Sequence, residues 1–254
     1  MGGFFGAVFG MYRVCDFAKW LVFLLLTFCL ALTLSWWLLV QVDFAYPWLH
    51  DHAGIAENIV HYAPHNPLKP QFDQTTPAER IRLFHGIVTA IHQHGEGLTT
   101  LTYHDANGNA LHTLLTPAEV LHLQDVAKLL DVLKTAMLVA GLAWGGLLLW
   151  LLHQRTALPP VRTLLMGIAS VVFACGVLLS FGAVHVFYQL HEWIFPAGHQ
   201  WFFYYEESLM SMMMKAPDLF GYIAVMLVSL ALVISGSFLG CYQQLQTQIT
   251  HALR

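Results

Sequence analysis

The hydrophobic positions of this chain fall into four unbroken runs, with polar stretches between them. Crossing the hydrocarbon core of a bilayer takes about 20 apolar residues in a helix. The runs 19–42, 134–153, 163–187 and 219–241 meet that length and predict four transmembrane helices. Residues 1–18 then form a cytoplasmic or interfacial N-terminus that leads into the first span without a convincing cleavage site, as in an uncleaved signal-anchor. Residues 154–162 form a short cytoplasmic loop and 242–254 a cytoplasmic tail. Trp36, Trp37, Tyr46 and Trp48 mark the far end of the first span, where aromatic side chains sit at membrane–water interfaces.

Region 43–133 is the one sizeable water-facing stretch, and its pattern predicts a small α/β domain. Its first part reads as short helices broken by prolines. Thr76-Pro77-Ala78-Glu79 carries a helix start: a capping Thr, Pro in the first turn, and Glu placed to reach back. The alternating, Thr-rich segment that follows is interrupted by Asn107-Gly108, which predicts a β-hairpin with a tight turn. Thr116-Pro117-Ala118-Glu119 repeats the helix-start signature and opens a helix that need not stop before the second span. The fold expected is therefore mainly α: a four-helix transmembrane protein with a small α/β extracytoplasmic domain containing a β-hairpin.

The loop 188–218, between the third and fourth runs, is crowded with Trp, Tyr and Phe rather than with small polar residues. It is expected to lie at the membrane surface, rings in the acyl boundary and polar atoms among the headgroups. Met212, Met213 and Met214 read as adaptable apolar surface, packed or against lipid.

A charged fraction of 10% and a mean hydropathy of +0.59 exclude a soluble enzyme and a disordered chain. The net charge of -4 and the lack of a basic block argue against nucleic acid. Arg155 and Arg162 place the short loop between the second and third runs in the cytoplasm by the positive-inside rule. Both termini are then inside, and 43–133 and 188–218 face outside together. Ten of the 15 histidines lie between His50 and His122, on that outer face. A transporter fits poorly, because the spans show no intramembrane charge and no paired broken helices.

The outer face has no Cys and no G-x-S-x-G, so a nucleophilic thiol or serine is not favoured. His61 with His65, and His92 with His94, have metal-like spacings, and a non-catalytic adaptor with a His-rich, metal-binding ectodomain is the alternative they leave open. An acid–base site on His122 and His191 is the other. Glu119, His122, Asp125 and Val126 are three or four residues apart and share a helix face, so Asp125 or Glu119 is placed to orient the imidazole. The same spacing also fits an ordinary solvated helix face, and His191 also fits a satisfied interfacial histidine.

Two stretches carry a resemblance. One reads Phe187-x-x-x-His191-Glu192-x-x-Phe195, Trp201-x-Phe203, Ser208-Leu209-Met210 and Pro217-x-x-Phe220; the other reads Glu119-x-x-His122-x-x-Asp125-Val126. With four spans and one ectodomain after the first, the chain resembles the lipoprotein intramolecular transacylase family. That resemblance implies an enzyme of the bacterial cytoplasmic membrane, active on its extracytoplasmic face. Such an enzyme moves the sn-2 acyl chain of a diacylglyceryl-cysteine lipoprotein onto the cysteine α-amino group, giving the lyso-form lipoprotein. It implies His122 and His191 as the catalytic pair; Glu119, Asp125 and Glu192 are expected to orient or support them. Phe187, Phe195, Trp201, Phe203, Pro217 and Phe220 are expected to line a lipid groove. The partners expected are the lipoprotein substrate and membrane lipid, with no cofactor and no metal. The first assignment is His122 as base and His191 as oxyanion donor or acid, with the reverse also open.

Overall fold

The computed structural model of the protein describes residues 2–160 and 182–252, together with 162–164, 173, 176, 177 and 180 between them. Most of the predicted third span, 163–187, lies outside the described residues, as does the side chain of Phe187. Three helices among the described residues are long and apolar enough to cross a bilayer: Ala18–Val40, Pro117–His153 and Asp218–Ile249.

The chain divides into two compact units. The first comprises Met1–Ser35, Thr135–Phe181 and Val228–Arg254. It draws on helices α1 (Gly2–Val40), α5 (Pro117–His153) and α8 (Asp218–Ala252), whose middles are continuous apolar sequence. Its packing centres on rings: Phe23 stacks on Trp144 at 6.2 Å, and Trp20 and Tyr242 close around Phe23. Thr27 ties the cluster by accepting from the Trp144 indole at 2.9 Å while donating to the carbonyl of Phe23. Leu142, Leu149 and Val233 are exposed. Apolar outward faces on helices whose backbone bonds are all internal are what a lipid environment selects. Helix α8 continues past the predicted end of the fourth span to Ala252, so most of the expected tail is helical.

The second unit comprises Trp36–Lys134 and Gly182–Leu227. After α1 the chain turns sharply, with Asp43, Phe44 and Ala45 all at positive φ. Such angles cost non-glycine residues about 1–2 kcal/mol each. Burial of Phe44 against Trp36, ring centroids 4.8 Å apart, offsets that cost. The turn changes the role of Tyr46. It is not a membrane anchor but a fully buried core residue, stacked on Phe84 at 3.9 Å and donating its hydroxyl to the carbonyl of Met213. Trp36 is likewise engaged, its indole donating to Nε2 of His92, while Trp37 and Trp48 are exposed.

Short helices α2 (Tyr46–His52) and α3 (Ile55–Tyr62) precede α4 (Pro77–His92). Strands β1 (Thr102–His104) and β2 (Ala110–Thr113) pair antiparallel, with Tyr103 opposite His112. The connection is a five-residue loop rather than a two-residue turn. Only Gly108 takes a positive φ, and Asp105 organises the loop by accepting from the backbone of Asn107 and Asn109. After this come α6 (Ala183–Ile194) and α7 (Leu209–Met214), so the predicted surface loop 188–218 is partly helical. Met212 and Met213 are fully buried, and the Asn58 side chain donates to the carbonyl of Met212. These contacts fasten the 208–216 segment to α3.

The two helix-start signatures behave differently. Thr116 and Glu119 form a complete capping box: Thr116 Oγ1 accepts from Glu119 N at 3.3 Å, and Glu119 Oε2 accepts from Thr116 N at 2.6 Å. Thr76 caps Glu79 N, but the Glu79 carboxylate does not return the bond. It accepts from Arg82 and from His104 instead. Burial alone would raise its pKa, but those hydrogen bonds hold it at about 2.

Candidate active site

The first turns of α5 carry His122, and the last turn of α6 carries His191. His122 precedes by about three turns the Lys134 at which the apolar run begins, with Asp125, Lys128 and Asp131 between them, so it belongs to the water-facing part of its helix. The two imidazoles approach face to face, centroids 6.5 Å apart at an interplanar angle of 27°. Phe195 lies against both, 4.8 Å from His122 and 5.3 Å from His191. Phe203 adds a ring at 6.0 Å from His122, and Trp201 one at 5.0 Å from His191.

The local backbone explains how one segment supplies three rings. Helix α6 ends where Phe195 turns extended, its N–H donating to the carbonyl of His191. Pro196 to His199 makes a turn through Gly198 at a φ of 88°. The next residues run extended, and burial alternates: His199, Trp201, Phe203 and Tyr205 are half-buried, whereas Gln200, Phe202 and Tyr204 are exposed. An extended chain points successive side chains to opposite sides, so this register sends Trp201 and Phe203 to the histidines together.

The aromatic surroundings set the electrostatics. Desolvation lowers the pKa of His122, His191 lowers it further, and the Asp125 carboxylate opposes both more weakly. The outcome is a value of about 4, so His122 is a neutral imidazole at physiological pH.

The supporting carboxylates Glu119 and Asp125 lie one turn either side of His122 on α5, but they hydrogen-bond other partners. Asp125 is buried and meets His199 Nδ1 at 2.5 Å and Lys128 Nζ at 3.1 Å. Burial would raise its pKa, but the bonds from His199 and Lys128 hold it below the usual carboxylate range. Glu119 is 0% exposed and is committed to its capping box and to the 208–210 segment. It accepts from Ser208 Oγ at 2.5 Å and from Met210 N at 3.3 Å. Glu192 is exposed and accepts from Gln189. Of the expected groove residues, Phe195, Trp201 and Phe203 gather at the histidines. Phe220 is exposed, with no ring contact to them among the described residues, and Pro217 is exposed before α8. The residue that the helix-face argument missed is His199. Its signal was its alternation in register with Trp201 and Phe203.

The metal-like histidine pairs, His61 with His65 and His92 with His94, are otherwise engaged. His65 Nδ1 meets the carbonyl of His61, His92 bonds Val88 and Trp36, and His94 pairs with Asp131. Among the described residues, no three His, Cys, Asp or Glu side chains are grouped to hold a metal ion.

Two solved structures share the fold, both of the membrane integral lipoprotein intramolecular transacylase Lit from Bacillus cereus. One, a single His-to-Arg variant, has a TM-score of 0.60 at 15% identity, covering 96% of this chain and 98% of that one. The other has a TM-score of 0.60 at 17% identity, covering 95% and 99%. No curated protein matches the sequence significantly. The family model described as lipoprotein intramolecular transacylase Lit matches residues 83–217, the stretch that runs from α4 through the paired histidines to the end of α7. With more than half its length matched by that model, the chain belongs to the lipoprotein intramolecular transacylase family.

Proposed function

We infer that this chain is a membrane enzyme acting on lipoproteins whose N-terminal cysteine carries a diacylglyceryl group, and that it moves the sn-2 acyl chain to the cysteine α-amino nitrogen. In a chain of this family, the supporting observation is the pair His122 and His191, stacked within a ring of Phe195, Phe203 and Trp201.

The reaction needs no enzyme nucleophile, because the substrate supplies one. A histidine takes a proton from the α-ammonium group. The freed nitrogen attacks the sn-2 ester carbonyl carbon, forming the C–N bond and a tetrahedral oxyanion. Collapse breaks the C–O bond to glycerol; the nitrogen, cationic after the attack, gives up a second proton, so that one of its two protons passes through the histidine to the glyceryl oxygen and the other leaves to water. The products are an amide and a free sn-2 hydroxyl. Holding ester and amine together contributes about 7–11 kcal/mol of the barrier through proximity.

A base works best with a pKa near the operating pH, and His122 lies well below it. A neutral imidazole instead keeps an N–H to donate to a developing oxyanion. We therefore assign His122 as oxyanion donor and His191 as base and proton carrier, the reverse of the first assignment from sequence. The engagement of Asp125 by His199 and Lys128, rather than by His122, supports the same choice.

The surface beside the pair suits an acyl boundary: Trp193 is 75% exposed, and Ile194, Phe202 and Tyr204 are exposed with it. Together with Arg155 and Arg162 in the short loop, this supports a site on the extracytoplasmic face of the bacterial cytoplasmic membrane, with both termini inside.

The test is mass spectrometry of a lipoprotein N-terminal peptide from cells making the wild type, His122→Ala or His191→Ala. Wild type is expected to yield N-acyl, monoacylglyceryl cysteine, and each variant to lose about 100- to 10,000-fold in conversion. Unchanged diacylglyceryl cysteine beside well-expressed wild type would refute the reading.

A further inference from the structure

Asp125 and His199 meet within the site but touch neither reacting histidine through a hydrogen bond. Asp125 is buried on α5, one turn after His122. His199 opens the extended segment whose alternation delivers Trp201 to His191 and Phe203 to His122. The segment is not part of a sheet, so no backbone ladder fixes its register. A shift of one residue would turn Trp201 and Phe203 outward and bring Gln200 and Phe202 in. The His199–Asp125 bond at 2.5 Å joins the start of the segment to the helix that carries His122.

We propose that His199, through its bond to Asp125, is a positioning residue for acyl transfer: it sets the register of 199–205, and hence the two rings that hold the histidine pair face to face. This rests on the transacylase reading above. Lys128 bonds the other carboxylate oxygen, and His122 lies on the same helix. His191 enters from α6 through Phe195. The bond also occupies Asp125, so that its carboxylate is not free to turn to His122 and stabilise the imidazolium.

The purified full-length protein, assayed on a synthetic diacylglyceryl lipopeptide, separates this role from general support of the fold. Asn places its amide nitrogen close to where Nδ1 of histidine lies, so His199→Asn keeps the donor to Asp125, whereas His199→Ala removes it. His199→Ala is expected to lose about 10- to 100-fold in kcat with KM changed less than about threefold, the pattern of lost geometry rather than lost binding. His199→Asn should recover most of that loss. A control comes from His94, which makes the same kind of bond, to Asp131 at 2.6 Å, on the exposed surface. His94→Ala should leave the rate unchanged.

A second readout does not depend on activity. Backbone amide exchange across 199–205 should quicken in His199→Ala and return to the wild-type rate in His199→Asn. Unchanged exchange in His199→Ala overturns the proposal, as does wild-type kcat in that variant, or equal impairment of the Ala and Asn variants. Failure of the wild type to convert the lipopeptide, with exchange behaving as expected, sinks the transacylase reading and leaves the register role standing.

Discussion

Glu119 is fully buried in the second unit, and its removal is expected to cost that unit several of its hydrogen bonds at once. Its carboxyl group accepts from Thr116 N, Ser208 Oγ and Met210 N, joining the start of α5 to the start of α7. Ser208 in turn caps α7 by accepting from Ser211 N at 2.9 Å. Glu119→Ala weakens one helix cap, at about 1 kcal/mol. It also leaves two buried donors without an acceptor, at about 1–3 kcal/mol each. The sum is about 3–7 kcal/mol, reduced by whatever water enters the site. For a chain of this size, 1 kcal/mol corresponds to about 2–4 °C in Tm, so the expected drop is at least about 6 °C. Ser208→Ala removes one donor and its cap, but leaves Glu119 bonded to Thr116 and Met210, and should cost about 1–2 kcal/mol. The assay is thermal unfolding in detergent, followed by tryptophan fluorescence, for wild type, both single variants and the double variant. Because the two side chains share a bond, the double variant should be more stable than the sum of the singles predicts, by about 0.5–3 kcal/mol. A Glu119→Ala drop under about 2 °C, or strictly additive effects, would refute the coupling of α5 to α7 through Glu119 and Ser208.

Two other predictions concern ionisation. His122 should titrate by ring-labelled NMR with a midpoint near 4, and Phe203→Ala, which opens the desolvated face, should move that midpoint up toward 6.5; a wild-type midpoint at or above 6.5 would remove the argument for a neutral donor. Glu79 has its pKa depressed from 4.5 to about 2, so its contribution to stability is fully present above pH 4.5 and is lost as the pH falls toward 2. That contribution is at most about 3 kcal/mol. Glu79→Gln should flatten the acid limb of stability in that window, and an unchanged acid limb counts against the Glu79–Arg82–His104 network.

The apolar runs at 19–42, 134–153 and 219–241 were legible because a helix in hydrocarbon satisfies its own backbone, so composition and length alone suffice. The starts of α4 and α5 were legible for a similar reason: Thr-Pro-Ala-Glu acts within four residues. The hairpin was placed correctly, but its turn was not, because Asp105 recruits its own side chain to build a longer loop. The membrane-anchor reading of Tyr46 failed because three left-handed residues before it send the chain back into the core, and no residue pattern announced them.

The sequence by itself therefore determined the membrane-spanning runs, the helical and hairpin elements between them, and, through its motifs, the two histidines that belong together. Only the tertiary structure decided which acids serve which partners. Asp125 finds His199 across 74 residues of chain, and Glu119 finds Ser208 across 89. Helix periodicity puts side chains on a common face, but it does not say what packs against that face. A buried carboxyl group takes the donors that packing delivers to it, and here they come from a segment folded in from far along the chain.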